Sequence, residues 1–259
     1  MAAKCAFCSE DAVEHGGEHI WDDWLNRALP VKKFRVRQQR SPVEPFREYP
    51  ARVLKEKLPV VCENCNNTWM SDVTNQVKQS FAELIISGAS VCLLPTGVGL
   101  LAAFAFMKSV VADHAANRDE PFYTRAVRER FRQTRIIPPN VQMWVGAYQG
   151  VQRYSGKCIS FYPTPDQPGP LYGVEFFGFT YVVGQLVLQT HAARWIDVRL
   201  RGLPLPPLRP DQYWNAAVSR FWPSDGVPIA WPPEKYIGDD TIQKFMERFN
   251  VPIHIRDGS

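Results

Sequence analysis

The chain has 259 residues, 45% of them hydrophobic and 22% charged, with 22 prolines, 16 glycines, six cysteines and a formal net charge of +4. That length fits one large domain or two modest ones, and the apolar fraction excludes wholesale disorder and collagen-like repetition. A charge so near neutrality excludes nucleic-acid binding through bulk positive charge, so any such contact must come from local basic patches.

The opening MAAKCAFCSED has no apolar core of signal-peptide length and meets acidic residues within ten positions. That predicts a cytoplasmic protein, in which thiols stay reduced and clustered cysteines signal metal before disulfide. Cys5 and Cys8 form one Cys-x-x-Cys pair and Cys62 and Cys65 a second, with 53 residues between them. Two residues between cysteines let one tight turn aim both sulfurs at a single ion, and two such turns complete the closed tetrahedral set of a structural zinc site. Rival readings fail on spacing. His15 and His19 stand too close to the first pair for a zinc finger, and Gly16-Gly17 would break the helix that presents such histidines. The His-x-Glu and Pro-Cys-x-x-Cys of a zinc deaminase are out of register. Cys92 and Cys158 sit in apolar sequence and read as core residues.

Further along, VTNQVKQSFAELIIS carries Val73, Val77, Phe81, Leu84 and Ile85 at helical spacing, with Ser71 or Asp72 as cap and Gly88 where the helix should stop. Two more helices are expected in residues 97–135, the second after Pro121. The longest apolar stretch, Val98 to Ala112, is interrupted by Lys108. It falls short of the ~20 residues of a membrane span and reads as a buried helix, with no membrane partner. Pro138-Pro139 is a break, after which VQMWVGAY, KCISFYP, YGVEFFGFTYVV and GQLVLQTH predict three to five antiparallel strands. The proline-rich tail (LPLPPLRP, FWPSDGVPIAWPPEK) is expected to wrap irregularly over the surface, with a short helix near Asp240–Phe249. The chain thus divides into 1–80, a helical 81–137 and a β-rich 138–259. The role of the β-rich section stays open among homodimer formation, ligand recognition and docking of a regulatory partner.

Between the cysteine pairs lies GGEHIWDDWL, and CNNTWMSDV begins at the last cysteine. Cys-x-x-Cys, then Glu-His-Ile with an aromatic and acidic continuation, then Cys-x-x-Cys-Asn resembles the zinc-bearing branch of the HNH endonucleases, over residues 5–80. The resemblance implies an α+β chain whose N-terminus is a zinc-stapled ββα-metal module, followed by helices and an antiparallel β-rich region. It implies hydrolysis of DNA phosphodiester bonds by a His-activated water and one divalent cation, Mg²⁺ or Mn²⁺. In the roles the resemblance carries over, His19 is the general base, Glu18 a ligand of that cation, and Asn66, with Asn67 as alternative, completes the cation site. Histidine suits the base because its ordinary pKa lies near neutrality, and carboxylate and amide oxygens suit hard cations. The sequence departs from the family where an asparagine usually braces the histidine loop; Lys57 stands there, so another residue must brace it. Trp21, Trp24 and Trp69 read as packing residues of the module.

Two basic runs are candidates for phosphate contact. Lys32, Lys33, Arg35, Arg37 and Arg40 fall within nine residues of the insert between the motifs and read as the DNA-contacting set, through backbone rather than bases. Arg125, Arg128, Arg132 and Arg135 share one face of a predicted helix, which reads more simply as a solvated face. The rival to the enzyme is a zinc-stabilised nucleic-acid-binding or adaptor protein with a vestigial nuclease site.

Overall fold

The computed structural model describes residues 4–12, 17–29, 34–38, 47–51, 57–114, 121–150, 155–163, 173–196 and 214–249. Among them the order is β1 (Glu18–His19), α1 (Asp23–Ala28), β2 (Phe34–Gln38), β3 (Arg47–Ala51), β4 (Lys57–Leu58), α2 (Glu63–Cys65), a π-helical segment (Asn66–Met70), α3 (Ser71–Ser87), β5 (Val91–Leu93), α4 (Pro95–His114) and α5 (Arg125–Thr134). Then follow β6 (Val141–Tyr148), β7 (Ser155–Pro163), β8 (Gly173–Val183), β9 (Leu186–Trp195), β10 (Val218–Trp222), β11 (Ile229–Trp231), β12 (Tyr236–Ile237) and α6 (Ile242–Phe249). The fold is α+β, with an antiparallel sheet as its centre.

Helix α3 buries the five apolar residues that its spacing marked, and Gly88 ends it in the left-handed conformation at φ 73°. Its start differs from expectation. The helical run begins at Glu63, inside the second cysteine pair, and bends at Thr68 before α3 proper. The cap is neither Ser71 nor Asp72. Cys62 Sγ accepts from the Cys65 amide at 3.4 Å, so the second Cys-x-x-Cys is itself the first turn of the helix.

Helix α4 is 20 residues long and apolar enough to cross a membrane by length and composition. In this fold every residue from Leu101 to Val111 is buried, as expected for a helix with no polar face, and the helix packs against α3, β8, β9 and β10. Lys108 is buried with the rest.

The sheet runs β10-β6-β9-β8-β7 with antiparallel neighbours, and β12 pairs with β6 in parallel. Strand β8 is buried along its whole length because both faces are covered. Phe177, Phe179, Tyr181 and Val183 join the core around α4; the alternate residues Val174, Phe176 and Val182 join a second core with Trp214, Ile237, Ile242 and Phe245. This corrects the reading of the tail. Its described part is not a surface wrapping: β10 and β12 extend the sheet, and Trp214, Ile242 and Phe245 cover its second face. The prolines fall between the paired segments, where they remove no ladder hydrogen bond. LPLPPLRP lies outside the described residues.

One core joins all three sections of the chain, with Phe7 and Trp69 from the first, Phe106 and Phe131 from the second, and Phe177 and Phe221 from the third. Cys92 is exposed rather than core: it lies on β5, which among the described residues pairs with β11 alone. The Cys158 side chain lies outside the described residues.

Candidate metal centre and adjoining polar cavity

The four cysteines converge. The sulfurs of Cys5, Cys8, Cys62 and Cys65 all lie within 4.8 Å of one another, with Cys8–Cys62 at 3.5 Å and Cys8–Cys65 at 3.7 Å. Sulfurs held about 2.3 Å from one zinc ion lie roughly 3.8 Å apart, close to the two shorter separations here. Backbone amides support it: the Phe7 N–H donates to Cys5 Sγ at 3.4 Å, as Cys65 N–H does to Cys62. Without a cation the thiols conflict. The hydrogen bond from Cys65 draws Cys5 down to about 4, while burial pushes Cys8 up to about 11. A dication resolves that conflict by letting all four ionise. The cluster could hold a metal such as zinc.

Directly beside it, β1 pairs antiparallel with β4, placing Glu18 opposite Leu58 and His19 opposite Lys57. Gly17 makes this approach possible: at φ 101° it lies so close to β4 that a Cβ would sit 2.3 Å from the Leu58 carbonyl oxygen. Strand β1, α1 and the helical run from Asn66 into α3 flank a cavity of about 340 Å³, whose lining includes Glu18, His19, Asp22, Asn66 and Asn67. The Asn66 side-chain amide donates to the Gly17 carbonyl at 3.4 Å, tying the segment to the start of β1. Asn67 is exposed and donates to Glu63 Oε1 at 3.5 Å. Thus Glu18, His19, Asn66 and Asn67 all line one cavity.

His19 is half-buried, with Nε2 3.5 Å from Asp23 Oδ1. Burial pushes its pKa below the usual value; Asp23 opposes this, and Lys57 and Lys108 add to it. The imidazole is therefore neutral at pH 7, the form able to take a proton.

Sequence reasoning missed the residue that organises the loop. Lys108 reaches out of α4 and donates to Glu18 Oε1 at 2.5 Å, Asp22 Oδ1 at 2.9 Å and the His19 carbonyl at 2.9 Å. All three ammonium protons are used. Burial disfavours its charge, but Asp22 and Glu18 outweigh that and raise its pKa. Tyr181 adds a hydrogen bond to the Ile20 carbonyl at 2.6 Å. Lys108 and Tyr181 therefore brace the histidine loop, and Lys57 is exposed. The signal in the sequence was a single cation in the middle of an apolar helix.

The tryptophans are buried as expected. Trp21 Nε1 donates to the Val182 carbonyl at 3.0 Å, and Trp69 meets Phe7 and Phe131 edge to face. The arginine row of α5 is a solvated face only in part: Arg125 is exposed and Arg132 half-buried. Arg128 is buried and donates to the carbonyls of Ala6 and Tyr123, and the Arg135 guanidinium stacks 4.1 Å from the Trp69 ring. These two clamp α5 to the cysteine cluster, while Arg125 pairs with Glu129 at the surface. Of the other basic run, Arg35 and Arg37 fall on β2, opposite Pro50 and Glu48 of β3. Lys32, Lys33 and Arg40 lie outside the described residues.

Compared with known proteins, the chain matches no family model, no curated protein and no solved structure.

Proposed function

We propose that the chain is a metal-dependent endonuclease of HNH type that hydrolyses DNA phosphodiester bonds at the cavity between β1 and the helix that follows Cys65. The observation that carries this reading is the convergence of a half-buried histidine, a buried carboxylate and an asparagine on one cavity next to a four-cysteine cluster. The order of parts supports it too, since two paired strands are followed by a helix that starts in the second cysteine pair.

The His19 imidazole would take the proton of the attacking water, and Asp23, 3.5 Å from Nε2, would steady the imidazolium so formed. Glu18 and Asn66 would hold the divalent cation, Mg²⁺ or Mn²⁺, which when bound supplies charge neutralisation at the scissile phosphate and the leaving oxygen. The fit rests on hard oxygen donors: Glu18 receives one hydrogen bond, at Oε1, and no other protein donor reaches it among the described residues. The basic run of the insert, Lys32, Lys33, Arg35, Arg37 and Arg40, would hold the DNA backbone, with the strong salt dependence of such contacts.

A second reading, a zinc-stabilised nucleic-acid-binding or adaptor protein with a vestigial site, draws on one observation. Lys108 already neutralises Glu18, where a catalytic cation would sit. A plasmid assay with Mg²⁺ or Mn²⁺ separates the two. The enzyme nicks or linearises the plasmid, and His19→Ala stops cutting while DNA binding and zinc content are kept. Binding without cutting under any divalent metal selects the adaptor, and unchanged cutting by His19→Ala removes His19 from the mechanism.

A further inference from the structure

The geometry points to Asp22 as a second carboxylate ligand of the divalent cation in this cavity, with Lys108 as the residue that positions Asp22 and Glu18 as a pair. The inference rests on the cation of the reading above and adds two residues to its site.

Asp22 precedes α1, lines the cavity and is 7% exposed. Its two oxygens differ. Oδ1 accepts from Lys108 at 2.9 Å, while Oδ2 is buried with no hydrogen-bond partner. A buried carboxylate oxygen without a donor carries a full desolvation penalty, so such an atom calls for a ligand. Glu18 stands in the same relation to Lys108: Oε1 accepts at 2.5 Å and leaves the other oxygen without a protein donor among the described residues. One ammonium thus grips one oxygen of each carboxylate, fixes the two as close neighbours and leaves one oxygen of each for something else.

The charges agree. The formal charges of the buried Glu18, Asp22 and Lys108 sum to −1, and the remaining charged residues of the lining, Asp23, Arg27 and Lys78, are exposed. A divalent cation turns that −1 into +1, which matches a phosphodiester monoanion. A monovalent cation would leave nothing for the phosphate. Two carboxylate oxygens with solvent are also the kind of donor set that Mg²⁺ and Mn²⁺ use, since both keep several waters. Lys108 is therefore a positioning residue and not a substitute for the metal: all three of its donors are spent on the loop.

Mn²⁺ binding, read by electron paramagnetic resonance on the zinc-loaded full chain without DNA, tests the assignment. One Mn²⁺ per chain is expected. Asp22→Asn and Glu18→Gln each weaken it by about tenfold or more, whereas Asp72→Asn, an exposed carboxylate outside the cavity, leaves it unchanged. Zinc content and near-ultraviolet circular dichroism check that the variants fold. If Asp22→Asn does not, iron(II) with ascorbate and peroxide on the unaltered chain replaces it, and backbone cuts are expected around residues 18–22. Wild-type affinity in Asp22→Asn, or cuts that map elsewhere, overturns the assignment. Mn²⁺ held through Asp22 with no cleavage of DNA supports it and removes the nuclease instead. DNA cleavage by a chain that binds no Mn²⁺ overturns the assignment and leaves hydrolysis standing.

Discussion

Replacing Lys108 by methionine keeps the volume of a core side chain and removes the one charge that holds the β1 loop. The side chains of Lys108, Glu18 and Asp22 are 2%, 7% and 9% exposed, so solvent screens little of their interaction. At contacts of 2.5 and 2.9 Å and an effective dielectric near 20, each attraction is roughly 6 kcal/mol. Repulsion between the carboxylates and the removal of three charges from water cancel most of that. The substitution, however, leaves the carboxylate pair buried and unanswered, at a cost of about 3–5 kcal/mol. In a chain of this length that lowers the melting temperature by on the order of 10 °C.

The sign with pH follows from the same charges. Burial already pushes the Asp22 carboxyl above its unfolded value of about 4, and without Lys108 the main charge opposing that rise is gone. The destabilisation is then full at pH 7 and fades as pH falls through the raised folded value, until below about 3 the carboxyls are protonated whether folded or not. The triple variant Lys108→Met, Glu18→Gln, Asp22→Asn has no carboxylates left to strand, so at pH 7 it recovers most of the loss. Urea and thermal unfolding of wild type, single and triple variants from pH 7 to about 3 measure this. A single variant within about 1 kcal/mol of wild type at pH 7, or a triple variant no better than the single, would refute the ion triad as the brace of this loop.

Zinc and acid stability give two further expectations. Elemental analysis should return one zinc per chain, and Cys62→Ala should lose both the metal and the N-terminal cap of the helix that starts at Glu63, so that chelator-treated and mutant chains unfold at lower temperature; a fully folded chain without metal rules the site out. His114, with ring nitrogens 3.2 Å from the Lys4 carbonyl and 3.4 Å from Arg128, is pushed below its ordinary pKa by burial and by Arg128. Its neutral form stabilises the fold above the unfolded value of about 6.5, and that contribution is lost as pH falls through the lower folded value. His114→Asn should therefore flatten the stability profile between about pH 7.5 and 5.5, and an unchanged slope would exclude His114 as its source.

What the sequence made legible is what acts over short distances along the chain. Two residues between cysteines specify a turn, and Val73, Val77, Phe81, Leu84 and Ile85 specify a face of α3, because both patterns are set by local geometry. Convergence of the two cysteine pairs was also readable, since a tetrahedral ion needs four ligands and the chain offers two identical pairs. The role of Lys108 was not, because its partners lie 86 to 90 residues away and a lysine within an apolar run looks like an interruption. Arg128 and Arg135 misled for the opposite reason: charge at helical spacing implies water, and only the packing of α5 on Ala6 and Trp69 reverses that. Strands β10 and β12 were hidden by prolines that stand beside the paired residues rather than among them.

The large aromatic remainder of the chain gains a task from these contacts. The loop from Gly17 to Asp22 has two residues of its own in a strand, too few to hold a side chain in place. Its carbonyls and side chains are held from outside: the His19 carbonyl by Lys108 of α4, the Ile20 carbonyl by Tyr181 of β8, and the Trp21 indole by the Val182 carbonyl. Tyr181 and Val182 in turn keep their positions because β8 is covered on both faces, on one by α4 and on the other by Trp214, Ile242 and Phe245 from the tail. The four cysteines fix where the helix after Cys65 begins, but the sheet and its core helix fix where His19 and Glu18 stand relative to it. Precise placement of catalytic or binding side chains needs such support from rigid elements. The strands after Pro139 are therefore part of how the cavity is built, whatever else they bind.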